Sequence, residues 1–241
     1  MTTKQTYKTG LGTSDADSIT LLGHDLATEI LGKYSFGELS YYLITKRRPT
    51  PGQLVMFEAV LASLADHGFT PTAIAARLTY ASAPDSLQGA LAAGLLGGGS
   101  RFLGVTEDCA HFLARELKEI GDAPTTQDGW DAAALNAVQK QRDIGKFVPG
   151  LGHPVHKQGD PRTPVLMAMA REQGLFGSHL SLFEAIGRVH SQVLGKTLPL
   201  NGAGVCGAVL ADAGIPMGVM RGVALLARCA GLLGHLVEEQ T

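Results

Sequence analysis

Two histidines stand in a stretch that no regular element can hold, Pro149-Gly150-Leu151-Gly152-His153-Pro154-Val155-His156-Lys157. An imidazole exchanges a proton near neutral pH, and glycines such as Gly150 and Gly152 let a ligand approach the backbone closely. Lys157 and the nearby Arg162 add positive charge for an anion. A glycine-rich crossover with merely exposed histidines has the same pattern, and the residues alone leave both readings open. His153 and His156 have no third ligand at convincing helical spacing, so no metal site is expected. A third histidine, His67, lies in Asp66-His67-Gly68 at the predicted C-terminus of a helix. Free carbonyls there favour an imidazolium, and Gly68 suits a left-handed cap. His67 could hold a carboxylate or donate to an oxyanion, or serve as a cap alone.

Arg221, Arg228 and His235 are spaced by seven, so on one helix they drift by only about 20° per step and form a stripe. Arginine is the natural bidentate partner of a carboxylate. Arg228 sits in Leu225-Leu226-Ala227-Arg228-Cys229-Ala230-Gly231, among small and apolar neighbours. A buried guanidinium requires an anion, which favours a functional Arg228 over a solvated one. Gly202-Ala203-Gly204-Val205-Cys206-Gly207 matches G-x-G-x-x-G, yet the preceding Leu198-Pro199-Leu200 is short and proline-broken, and only 34 residues follow. A dinucleotide site is therefore not expected; Asn201 reads as an N-cap and the glycines as packing positions.

The elements that must position these residues are helical. Ser35-Phe36-Gly37-Glu38 is a capping box opening a helix to about Lys46, and Thr50-Pro51-Gly52-Gln53 opens another that ends near His67-Gly68. The same signal recurs at Thr70-Pro71 and Thr163-Pro164, Asp85 is placed to cap Leu87 to Leu96, and Pro216 opens a helix reaching Val237. Strand signals are poor, with aromatics at 6%. The exception is Tyr7 to Leu22, which reads as a short hairpin or extended arm before a helix at Asp25 to Leu31. Lys146 to Pro161, dense in proline and glycine, must be a long internal loop. The expected architecture is all-α, a single unit over 1–241 with a large helical core and a small lobe between about Gly104 and Leu198.

Apolar residues make up 45% of 241, enough for a real core. Lys plus Arg is 20 against 22 for Asp plus Glu, a balance that gives no basic excess for nucleic acid. The 31 glycines are nearly twice the usual share of roughly 7% and follow no collagen period. Cys109, Cys206 and Cys229 lack C-x-x-C spacing and read as free thiols in a reducing cytoplasm. Met1 to Gly12 has no apolar region of a secretory leader behind it. The apolar stretch Val223 to Val237, broken by Arg228 and His235, reads as too short to span a bilayer, which takes about 20 residues.

In chain order, Ser35 to Pro49, Asp66-His67-Gly68, the 150–157 run with Asp160-Pro161-Arg162, Leu200-Asn201, and Ala227 to His235 resemble the citrate synthase superfamily. The likeness is greatest to its citryl-CoA lyase branch, which includes the C-terminal domain of ATP-citrate lyase, and it spans about Ile19 to Glu239. The resemblance implies a helical homodimer, consistent with Gly/Ala/Leu helices such as Leu87 to Leu96 that suit close subunit contact. It implies no tightly bound cofactor, with coenzyme A as part of the substrate lying against Gly150, Leu151, Gly152 and Lys157. His67 would hold or polarise a hydroxy acid, His153 would act on its hydroxyl or incipient ketone, and Arg162 and Arg228 would grip carboxylates. The implied reaction is cleavage of citryl-CoA, or a related carboxylated 3-hydroxyacyl-CoA, to acetyl-CoA and a 2-oxo acid such as oxaloacetate.

Three departures accompany the resemblance. Ala203 stands where the superfamily carries a catalytic aspartate, removing the expected acid/base at the acetyl methyl carbon; Asp66 and Asp160, next to site residues, are candidates to replace it. Gly99-Ser100-Arg101-Phe102 stands where synthases carry a histidine, a difference the lyase branch shares. The sequence also stops at Thr241 without the tail that, in synthases, gives the neighbouring subunit an arginine. Alternatives are a non-catalytic CoA-ester or carboxylate binding protein, a synthase-like transferase, and a CoA-thioester hydrolase.

Overall fold

The computed structural model describes residues 8–241; Tyr7, where the predicted hairpin begins, and the first part of the leader-free Met1–Gly12 reading lie outside them. The extended arm is an antiparallel three-stranded meander, β1 (Gly12–Ser14), β2 (Ile19–Leu21) and β3 (His24–Asp25), with Thr13 opposite Thr20 and Leu21 opposite His24. The expected helix after it is a single wide turn of π type, Leu26–Ile30, whose cap Asp25 accepts the Thr28 N–H at 2.7 Å.

Ten α-helices follow among the described residues: α1 (Phe36–Thr45), α2 (Pro51–Leu64), α3 (Pro71–Ser82), α4 (Leu87–Leu96), α5 (Val105–Ile120), α6 (Gln127–Asp143), α7 (Arg162–Glu172), α8 (Ser178–Leu194), α9 (Gly202–Asp212) and α10 (Met220–Glu238). The all-α reading is thus met. Helix α9, made of small and apolar residues, has Gly202 and every residue from Gly204 to Leu210 buried. It packs against α2, α5, α7 and α8. Tyr41, Phe57, Leu113 and Phe183 join the buried side chains of α9, Leu210 among them, in one core and are fully buried, each large apolar side chain contributing about 1.5–3 kcal/mol of transfer free energy. A smaller cluster of Ala73, Ala76, Ala90, Leu232 and Leu236 ties α3 and α4 to α10.

Several start and stop signals resolve differently from expectation. The Thr50 box closes in both directions with Gln53, but at α1 only the Ser35 half forms, because the Glu38 carboxylate takes Arg48 at 2.6 Å. Helix α7 begins at Arg162, not after Thr163, whose hydroxyl instead donates to the Leu200 carbonyl. Helix α4 has the expected range but Ser86, not Asp85, at its N-cap. Helix α2 stops at Leu64, so Gly68, at φ +68°, caps no helix and donates its N–H to the Asp66 carboxylate. At the far end, α10 and the 3-10 turn before it form a 22-residue helical run, Met217–Glu238, that contains an 18-residue stretch of mean hydropathy 1.4. That corrects the expectation that this stretch is too short to span a bilayer; it packs along α2, α3, α4 and α5.

Candidate functional site

The loop between α6 and α7 is held by the segment entering α9. Gly152 donates its N–H to the Pro199 carbonyl at 2.7 Å, Asn201 donates its N–H to Gly150 at 2.9 Å, and the Asn201 amide donates to the Gly152 carbonyl at 2.7 Å. Asn201 also caps α9 as expected, its Oδ1 accepting the Gly204 N–H at 2.8 Å. Gly150 is required twice over. Its φ is +85°, and an added Cβ would lie 2.7 Å from Phe183, 3.0 Å from the Cys109 sulfur and 3.1 Å from the Gly204 Cα. The G-x-G-x-x-G glycines therefore serve backbone contact, Gly204 against Gly150 and Gly207 against Thr106.

This stapling places three imidazoles together. The rings of His67 and His153 are 5.4 Å apart, those of His67 and His156 5.4 Å, and those of His153 and His156 4.5 Å. One nitrogen from each lies within 4.8 Å of the others. The third histidine that sequence spacing could not supply comes from the turn after α2, brought in by tertiary packing. His153 Nδ1 accepts the N–H of Val155 at 3.1 Å and of His156 at 2.9 Å, so the neutral ring carries its proton on Nε2. A metal-bound neutral histidine donates through its other nitrogen; His153 does the reverse. Its arrangement fits a hydrogen-bond donor to substrate better than a metal ligand. Burial first, then the neighbouring His156, lowers the His153 pKa below its ordinary value, favouring this neutral donor.

The two arginines differ. Arg162 is neutralised within the protein: Nε and Nη2 donate to the two oxygens of Asp160 at 3.0 and 2.8 Å, and Nη1 donates to the Ser63 carbonyl at 3.1 Å. Burial opposes ionisation of Asp160, but donation from Arg162 and from the Gly202 N–H at 2.7 Å outweighs it and holds the carboxyl well below the usual range. Asp160 therefore stores no proton for catalysis. Asp66 is engaged by His235 Nε2 at 2.9 Å and by the Gly68 N–H, which outweigh burial and lower its pKa too. Arg228 is 4% exposed, its nearest carboxylate oxygen is 3.9 Å away on Asp66, and its Nε and Nη1 have no hydrogen-bond partner. Of the predicted stripe, Arg228 and His235 turn to Asp66, while Arg221 pairs with Glu107.

His67, His153, Arg162, Asn201, Ala203 and Arg228 line one cavity of about 770 Å³. A second, of about 800 Å³, shares the Lys146–Val148 and Leu151–Pro154 walls and carries Arg142, Lys146, Lys157 and Lys196. The predicted set is thus split: His67, Arg162, Arg228 and Gly150 in the first cavity, Leu151, Gly152 and His153 on the wall between the two, Lys157 in the second. Besides Thr72, which follows the Thr70-Pro71 signal, two polar residues of the first cavity escape sequence reading, Thr106 and Asp108. The only signal near them is the irregular Gly99–Phe102 stretch that ends just before α5.

The family model for the citrate synthase C-terminal domain matches residues 13–241, and the chain belongs to the citrate synthase family. Citrate synthase 2 of Bacillus subtilis (strain 168) is 26% identical over 212 residues, 86% of this chain and 52% of that protein. The chain thus spans about half the length of that relative, and 19% of a probable ATP-citrate synthase of Caenorhabditis elegans. Among solved structures, citryl-CoA lyase from Hydrogenobacter thermophilus superimposes with TM-score 0.86 at 31% identity, over 98% of this chain and 88% of that one. ATP citrate lyase from Methanothrix soehngenii, in complex with citrate and coenzyme A, has the same fold, with TM-score 0.80 at 22% identity over 100% of this chain and 40% of that one.

Proposed function

We propose that this chain is a citryl-CoA lyase-like enzyme that cleaves citryl-CoA, or a related carboxylated 3-hydroxyacyl-CoA, to acetyl-CoA and a 2-oxo acid such as oxaloacetate. One observation carries the reading. A buried guanidinium with two unpaired nitrogens borders a cavity that also presents a histidine with its Nε2 proton fixed, and a carboxylate is the group that completes it. Arg228 binds that carboxylate, and the compensated Arg162 offers its remaining N–H bonds as secondary donors. His153 donates from Nε2 to the oxygen that passes from hydroxyl to ketone, stabilising the charge that develops there, and His67 receives the hydroxyl proton. The adjoining cavity, with four cations and, among the described residues, no carboxylate in its lining, takes the phosphates of coenzyme A, the thioester passing over Gly150, Leu151 and Gly152. The similarity to citryl-CoA lyase at 31% identity supports cleavage over synthesis. Incubation with citryl-CoA and homologous 3-hydroxyacyl-CoA esters, with products identified by mass, tests the reading. Acetyl-CoA and a 2-oxo acid are expected, free CoA with an intact hydroxy acid would mean a hydrolase, and binding with no product would mean a binding protein.

A further inference from the structure

We propose that Asp108 is a catalytic residue, the acid/base that serves the acetyl carbon in place of the carboxylate missing at Ala203; the proposal rests on the lyase reading. Both residues line the first cavity, and Asp108 carries the one carboxylate in that lining among the described residues, which it shares with Arg101, Lys146, Arg162, Arg228 and two histidines. The other acids at the site are committed. Asp160 is buried and holds Arg162 and the Gly202 N–H, and Asp66 holds His235 and the Gly68 N–H.

Asp108 is different. Its nearest cation, Arg221 Nη2, is 3.7 Å away, and the same guanidinium already meets Glu107 at 2.6 Å through Nε. The Asp108 side chain remains 36% exposed. It stands on the first turn of α5, which packs against α9, the helix that bears Ala203. The Thr106 carbonyl occupies the space a Cβ on Gly207 would need, one turn after Ala203, and the Cys109 sulfur lies against Gly150, itself in backbone contact with Gly204. On the same turn the Thr106 hydroxyl, in a residue 1% exposed, has no hydrogen-bond partner. An aspartate this lightly paired, on a cavity wall that is otherwise cationic, keeps its carboxylate oxygens open to a ligand in the cavity.

The step balances as follows. The carbon–carbon bond breaks and its electron pair becomes the thioester enolate, while the tertiary hydroxyl loses its proton to His67. Protonated Asp108 delivers its proton to the enolate carbon, giving the acetyl methyl group, and solvent then removes the proton from His67 and restores the one on Asp108. In reverse the Asp108 carboxylate removes a methyl proton from acetyl-CoA.

The test is Asp108→Asn, assayed for citryl-CoA cleavage and for exchange of acetyl-CoA methyl hydrogens in deuterated water, with acetyl-CoA binding measured by calorimetry as a check on folding. The expected result is a kcat lowered about 10²- to 10⁴-fold and loss of methyl exchange, with KM and acetyl-CoA binding within a few-fold of wild type. Adding Ala203→Asp to Asp108→Asn should restore at least tenfold, and Asp108→Glu should keep measurable exchange even where Asn fails to fold. A wild-type protein that releases no acetyl-CoA overturns the lyase reading and this proposal with it. An active wild type whose Asp108→Asn variant keeps its kcat, or, where that variant fails to fold, whose Asp108→Glu variant binds acetyl-CoA but loses methyl exchange, overturns the role of Asp108 alone.

Discussion

A guanidinium that is 4% exposed with Nε and Nη1 unpaired raises the free energy of the empty protein. Replacing Arg228 with Met should therefore raise the unfolding free energy in urea by about 1 kcal/mol or more, as happens when a poorly compensated buried charge gives way to an apolar side chain. The same variant should raise KM for the carboxylated substrate about 10- to 100-fold, the worth of a charge-assisted hydrogen bond or two. His153→Ala should instead lower kcat. Because the pKa of His153 is lowered, its neutral donor form persists as pH falls through 6.5, and the part of the acid limb of kcat/KM that His153 contributes should lie below that value. His156→Gln removes one lowering influence, so it should move the limb upward; a limb that stays put would count against the ring contact. Arg228 was legible in the sequence because its neighbours are small and apolar. The approach of His67 to His153 was not, since they belong to separate loops joined only by packing, and neither was the pairing of Arg162, because one aspartate two residues away looks the same whether it turns inward or out.

At the level of elements, the capping residues at Thr50, Thr70 and Asn201 and the loop between α6 and α7 could be read from local chemistry. What misled was any signal with a competitor nearby: Arg48 draws off Glu38, and the Leu200 carbonyl draws off the Thr163 hydroxyl. The Asp160–Arg162 pair welds the start of α7 to the start of α9 through Gly202 and to the end of α2 through Ser63. Asp160→Asn leaves Arg162 without its anion, so it should cost about 3–5 kcal/mol in equilibrium unfolding. The sign with pH follows from the depressed folded-state pKa. Wild-type stability from this pair is present above the unfolded carboxylate value near 3.8 and is lost as pH falls through the lower folded value. The wild type and variant should thus converge in stability in strong acid.

At the scale of the whole molecule, α3, α4 and α10 show apolar side chains to solvent, with Leu78, Leu96 and Val237 67%, 86% and 59% exposed. We propose that a second copy of the chain covers this face, which would make the Gly/Ala/Leu helices rather than the 144–161 loop the contact. Sedimentation at micromolar concentration should give a dimer, and Leu96→Glu with Leu78→Glu should give monomers that keep the far-ultraviolet helical signal; a monomeric wild type would refute the proposal. The helical class was legible because periodicity and capping repeat along the chain, whereas the neighbours of α9 rest on contacts between distant segments that no local signal carries.

The three hydrogen bonds between Gly150, Gly152 and the Pro199–Asn201 segment have a consequence for time as well as shape. A connection rich in glycine and proline is ordinarily quick to surrender its amide hydrogens to solvent, but here the Gly152 and Asn201 amides are tied into backbone bonds beside the closed core. Their hydrogens should exchange at rates set by opening of the surrounding helices rather than by fraying of the connection. A ligand arriving at such a wall meets a surface whose disorder was already given up when the chain folded, so little of its binding free energy goes to setting the backbone in place.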